Sequence, residues 1–203
     1  PSPALASLRL RKDRHELAVM RRAAEVTAAG HVAAMRAARP GMFEYEVQAV
    51  LEARFRAAGS ARNGYQSIVA SGPNACVLHY HENDRRMRAG DLLLIDAGAE
   101  LLGCTADITR TIPVSGRFTA PQKAVYEIVL AAQLAGIDAC RVGAAWDSAH
   151  RVCLRELTRG LLRLGVLRGK VDTLVRDGAF KPWYMHGTSH WLGRDVHDVG
   201  GYE

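Results

Sequence analysis

Two apolar runs, each carrying an acid, constrain this chain more than any other feature. The first is Leu92-Leu93-Leu94-Ile95-Asp96-Ala97-Gly98; the second is Thr105-Ala106-Asp107-Ile108-Thr109-Arg110. An apolar run ending in an acid, a turn, then a β-branched run with a second acid reads as a β-hairpin. Paired strands of this kind aim Asp96 and Asp107 at one point. Two like charges at close range repel, so the pair needs a cation or a shared proton. Carboxylate oxygens are hard ligands that suit divalent metals. The hairpin is therefore read as half of a metal site.

The 203 residues suffice for one large domain or two small ones. With 48% hydrophobic residues and 24% charged, a sizeable core is expected and disorder is not. The net charge is +6, but the basic residues are scattered, with short clusters at Arg9–Lys12, Arg21-Arg22 and Arg85-Arg86. Solvated helix faces explain them better than a nucleic-acid footprint, so no nucleic-acid partner is expected. No stretch reaches the roughly 20 apolar residues of a membrane span, so no membrane partner is expected either. No signal-peptide pattern is present. Cys76, Cys104, Cys140 and Cys153 form no C-x-x-C pair, which argues against a thiolate zinc site. Each lies among apolar residues and reads as a buried reduced thiol, which favours a cytoplasmic location.

Residues 1–12 are a basic lead-in without a clear period. A helix is expected from Asp13, with Leu17, Met20, Ala24, Thr27, His31 and Met35 recurring at three and four. Asp13 and Glu16 have capping-box spacing. Arg39-Pro40-Gly41 ends that helix, and a second runs from about Glu44 to Ala58, stopped by Gly59. A strand at 66–70 and a turn at 71–74 follow. Beyond the hairpin, helices are expected from about Pro121 to Cys140 and Trp146 to Leu164, with a short piece at 171–175. Arg39-x-Gly41 and Val50 recur at one offset as Arg141-x-Gly143 and Val152. Helix, helix, strands thus starts twice, a weak internal repeat whose second copy looks unfinished.

The second chemical cluster is Met185-His186-Gly187-Thr188-Ser189-His190-Trp191-Leu192-Gly193-Arg194-Asp195-Val196-His197-Asp198. Imidazole binds metals and titrates near neutrality, so three histidines this close are metal or proton-transfer candidates. The spacing is not H-E-x-x-H, because Gly187 stands where the glutamate would. The glycines around Trp191 point to loops, not a helix. His15, His31, His81 and His150 are assigned no chemistry. Trp191 is expected in the core, and Arg110 as an ion-pair partner of an acid. Asp195 and Asp198 are read as carboxylates that orient histidines.

These residues resemble the pita-bread metallopeptidases, and among them the Xaa-Pro aminopeptidases. The matching segments are Arg39-Pro-Gly-Met-Phe-Glu-Tyr45, Leu78-His-Tyr-His-Glu-Asn83, Leu94-Ile-Asp-Ala-Gly98, Ala106-Asp-Ile-Thr-Arg-Thr111 and His186–Asp198. The resemblance implies an α+β, creatinase/aminopeptidase-like fold with a pseudo-two-fold helix-helix-sheet repeat. It implies a catalytic domain over 13–203, incomplete at its C-terminus, with 1–12 leading in from a missing N-terminal domain. It implies two divalent metal ions, usually manganese. Asp96 would ligate one, Asp107 would bridge both, and His190 would ligate the other. His79 and His197 would flank the substrate and stabilise the tetrahedral intermediate, with His186 behind them. The family adds two later glutamates, and Glu203 is too close to the histidines to count as one. A metal-bridging hydroxide would attack the carbonyl before proline in a peptide substrate. A prolidase acting on Xaa-Pro dipeptides is the nearest alternative. A truncated, inactive fragment or a binding module is the non-enzymatic one. A methionine aminopeptidase fits less well, because the His79–Asn83 segment is unlike it. Oligomeric state is left open, with a homo-oligomer allowed.

Overall fold

A computed structural model describes residues 2–201. Glu203, the acid discounted above, lies outside them. The chain divides into two compact units, residues 1–118 with 191–200, and residues 119–190 with 201–203.

The first unit begins with α1 (Pro3–Leu10), capped by Ser2 with proline in its first turn. No regular element was expected here. The cap and the proline are both helix-start signals. The helix buries no residue, so there is no apolar stripe from which a period could be read. Next comes α2 (Arg14–Ala37), where the Asp13–Glu16 capping box forms as expected. Gly41, at φ 95°, turns the chain into α3 (Glu44–Ala57), and Gly59 follows its end at φ 92°. The strand β1 (Ile68–Ser71) runs into a short 3-10 helix at Gly72–Cys76, where a simple turn was expected.

The hairpin is present. Strand β2 (Leu92–Ala97) is central, and its tip carries the small pair β3 (Glu100–Leu101) and β4 (Cys104–Thr105) before β5 (Ile108–Pro113). The three long strands form an antiparallel sheet in the order β1-β2-β5. Alternation along β2 sorts its side chains between two faces. Leu93, Ile95 and Ala97 are buried in a core with Val26, Ala34, Val47, Leu51, Phe55 and Val69. Leu94 faces the other way, against Ile68, Ala70 and Tyr80. Asp96 shares that second face, opposite Ile68 on β1 and Thr109 on β5. The helices thus take one face, and the acid is left on the other.

Gly98 closes the hairpin tip. A Cβ there would lie 1.7 Å from the Ala106 carbonyl oxygen, so only glycine permits this approach. Nearby, the Gly98 carbonyl accepts from the Gly64 N–H at 2.8 Å, which brings Tyr65 to the hairpin.

The second unit holds α4 (Ala120–Ala139), α5 (Ser148–Arg163) and α6 (Val171–Arg176). Gly143 has φ 83° at the break between α4 and α5, matching Gly41 between α2 and α3. The internal repeat therefore extends to backbone conformation. Cys104 and Cys153 are buried, but Cys76 and Cys140 are exposed, contrary to expectation. Both exposed cysteines end helical turns, where the chain emerges from packed surface. Among the described residues, no helix is long and apolar enough to cross a membrane.

Phe55 is fully buried between the helices and the sheet. Phe55→Ala is expected to lower the unfolding free energy by about 3–5 kcal/mol in urea titrations. Leu102→Ala, at the exposed hairpin tip, should change it by less than about 0.5 kcal/mol.

Candidate metal centre

Asp96 and Asp107 meet at one phenol. The Tyr65 hydroxyl lies 2.5 Å from Asp96 Oδ1 and 2.9 Å from Asp107 Oδ1. A phenol carries one proton and can donate to only one of them. The other carboxylate then faces a lone pair, close to a second negative group. Burial pushes the Asp96 carboxyl above its ordinary value, and the charge of Asp107 adds to the rise. Hydrogen bonds from Tyr65 and Thr109 oppose this but do not cancel it. Burial and the two carboxylates also push the Tyr65 phenol up, so it stays a neutral donor. Two hard oxygen donors this close together, with Asp96 already raised above its ordinary value, suit a divalent cation. The donor set fits the metal that the sequence implies.

The backbone under this pair is held from the helix side. Thr27 accepts from the Ala99 N–H at 2.9 Å and donates to the Ala23 carbonyl at 2.8 Å. His31, buried on α2, lies with Nε2 3.3 Å from the Ala97 carbonyl oxygen and donates to it. Burial pushes the His31 pKa down, against the pull of the Ala97 and Ile108 carbonyls. Its Nδ1 meets no hydrogen-bond partner among the described residues, so a proton there would be buried unpaired. His31 is thus a neutral support for the hairpin.

The segment after β1 is fixed by residues to which the sequence assigned no role. Glu44, fully buried at the start of α3, accepts from the Ser71 N–H at 2.6 Å, the Ser71 hydroxyl at 2.7 Å, Tyr80 at 2.8 Å and the Arg85 N–H at 3.0 Å. Asn83 accepts from the Val69 N–H at 2.9 Å and donates to the Ser67 carbonyl at 2.8 Å. Tyr80 and Asn83 anchor the His-Tyr-His-Glu-Asn segment, while His79 is exposed at φ 54°. A non-glycine residue at positive φ is uncommon and is here kept in place by its anchored neighbours. Nothing in the sequence singled out Tyr65, which lies outside every quoted motif. Glu44 was hidden because it also reads as an ordinary first-turn acid.

The histidine stretch is irregular throughout, as its glycines implied. His186 and His190 belong to the second unit and His197 to the first. The His186 ring lies tilted against Tyr184, with ring centroids 4.5 Å apart. Tyr184 and His150 both engage the Thr188 hydroxyl, at 2.6 and 2.9 Å. Of the six residues assigned to the site, Asp96 and Asp107 meet at the Tyr65 hydroxyl. Among the described residues, no group of three His, Cys, Asp or Glu side chains is placed to hold a metal ion. Arg110 donates to the Thr109 carbonyl, at 2.8 Å, instead of to an acid.

Residues 191–200 are clasped to the first unit. Gly193 O accepts from the Thr105 N–H at 2.8 Å and hydroxyl at 3.2 Å. Asp198, with only 1% of its side chain exposed, accepts from Lys12 at 2.9 Å and also from Arg9. Arg9 reaches Asp195 as well, at 2.6 Å. Both acids bind the amino-terminal cations. The reason is proximity: the α1 segment, read as a lead-in, carries the cations to them. A Cβ on Gly193 would lie 2.1 Å from Asp198 Oδ2, so the glycine makes room for this carboxylate.

A helix pair on an antiparallel sheet, a hairpin of that sheet with an acid on its open face, and a second helix pair repeating the first define the α+β pita-bread class. Residues 18–202 match metallopeptidase family M24, and the chain belongs to that family. It is 47% identical over 200 residues to the Xaa-Pro aminopeptidase of Haemophilus influenzae, covering 98% of this chain and 46% of that protein. It is 46% identical over 200 residues to the Xaa-Pro aminopeptidase of Escherichia coli, covering 98% and 45%. Among solved structures, aminopeptidase PepP of Pseudomonas aeruginosa superposes with a TM-score of 0.97 at 52% identity, over 98% of this chain and 45% of that one. Zn-substituted E. coli aminopeptidase P in complex with product gives 0.95 at 46% identity, over 99% and 46%. The chain thus spans a little under half the length of these relatives.

Burial pushes the Asp198 carboxyl up, but hydrogen bonds from Lys12, the Val199 N–H and Arg9 outweigh it and hold the group below its ordinary 3.8. A carboxyl lowered by folding stabilises fully above its unfolded value and loses that contribution as pH falls through the folded one. Asp198→Asn should therefore reduce the urea midpoint most at pH 6. The gap to the unmodified protein should close as the pH is taken well below 3.8.

Proposed function

We propose that these residues are part of a metal-dependent aminopeptidase that releases the N-terminal residue from peptides with proline in second position. The observation that carries the reading is the convergence of Asp96 and Asp107 on Tyr65. It occurs in a chain that aligns over 98% of its length with Xaa-Pro aminopeptidases. In this reading residues 13–203 form the catalytic part and 1–12 lead into it. Asp96, Asp107 and His190 would hold two divalent ions, with manganese the first candidate. Two further glutamate ligands are sought outside residues 1–203. The ions would supply an activated water and offset oxyanion charge; aminopeptidases are among the standard examples of two-metal catalysis. Tyr65 would donate to Asp96 and so fix the carboxylate that faces the cation. His79, exposed on its anchored turn, and His197 would flank the peptide, with His186 behind them. The four free cysteines agree with a reducing cytoplasm.

The test uses the full-length protein loaded with Mn2+. Cleavage of an Xaa-Pro-Yaa tripeptide in preference to an Xaa-Pro dipeptide is expected; the reverse preference would make it a prolidase. Asp107→Asn should abolish metal binding more completely than His79→Ala, which should mainly slow turnover. Metal binding without cleavage of any proline peptide would refute the enzyme reading.

A further inference from the structure

The amino-terminal cations do more than cover an acid. Asp195 and Asp198 stand two residues before and one residue after His197. One nitrogen of Arg9, Nη2, meets both of them. That nitrogen carries two protons, one for each carboxylate. Lys12 Nζ takes the second oxygen of Asp198 at 2.9 Å. The Asp198 N–H donates to the Trp191 carbonyl at 3.0 Å, and the Gly193 N–H to the Asp195 carbonyl at 3.2 Å. The backbone around His197 is therefore tied within its own loop and then to residues 9 and 12. A buried carboxylate stripped of its cations is costly and must leave or take up a proton.

We propose that Arg9 and Lys12 are positioning residues for His197, acting through Asp195 and Asp198. The proposal rests on the reading of His197 as a residue that flanks the substrate. A misplacement of about 1 Å at such a residue can cost on the order of a hundredfold in rate. Asp195 and Asp198 are not among the residues assigned to the metal, so metal content should not change. Substrate affinity should change less than turnover, because the histidine is kept and only its placement is loosened.

The experiment compares the full-length, metal-loaded protein with an Arg9→Met/Lys12→Met variant below its melting temperature. Three readouts are taken: kcat and KM on an Xaa-Pro-Yaa tripeptide, bound metal, and the NMR signals of the His197 ring. Expected are a fall in kcat of about 10–100-fold, a KM within about threefold, unchanged metal and a shifted or broadened His197 signal. Arg9→Lys, which keeps the charge but loses the fork, should fall between the two. Should the double variant not fold, Arg9→Lys and Lys12→Met singly carry the same comparison. An unmoved His197 signal with kcat within about twofold overturns the proposal. If the unmodified protein cleaves no proline peptide, the functional reading falls. A His197 signal that still moves in the double variant supports the clasp on its own.

Discussion

One proton shared among three oxygens governs this structure. Tyr65 can donate to Asp96 or to Asp107, not to both, yet it lies within hydrogen-bond distance of each. The sheet makes this arrangement unavoidable. Alternation along β2 turns Ile95 and Ala97 toward the helices and leaves Asp96 on the opposite face. The Gly98 approach to Ala106 closes the tip tightly enough to bring Asp107 and Tyr65 to the same place. What the fold holds together there is a pair of carboxylates, and a divalent cation is the group we propose between them.

Two other buried carboxylates are paired within the chain. Glu44 is a fully buried carboxylate, and it is held by four strong donors from Ser71, Tyr80 and Arg85. Asp198 is buried with two cations. A buried charge is tolerated when it is paired and hydrogen-bonded, and these two carboxylates meet that condition within the chain itself. Asp96 and Asp107 are different, because the groups facing them include each other. The contrast separates acids that organise backbone from acids that face one another.

The parts of the fold with strong periodicity were legible in the sequence. The helices α2 to α5, the hairpin and the repeated Arg-x-Gly break all follow from apolar spacing and stop signals. The helix α1 was not, because it buries nothing and so leaves no period. Asp96 announced itself by closing an apolar run, and Asp107 by standing in the β-branched run that follows. Tyr65 did not, since a lone tyrosine before a strand has many ordinary uses. Asp195 and Asp198 were visible as acids beside histidines, but their partners lie nearly the whole chain away, at residues 9 and 12. Long-range ion pairs of this kind have no local signature.

We propose that the space between Asp96 and Asp107 is a cation site with Tyr65 as its proton-bearing neighbour. The most direct measurement is a titration of the full-length protein with Zn2+, a diamagnetic ion, followed by the NMR signals of the Tyr65 ring. The signals should move and saturate together with metal uptake, and should stay still when Asp96 and Asp107 are both replaced by alanine. Stoichiometric metal uptake that leaves the Tyr65 signals unmoved in the unmodified protein would contradict it.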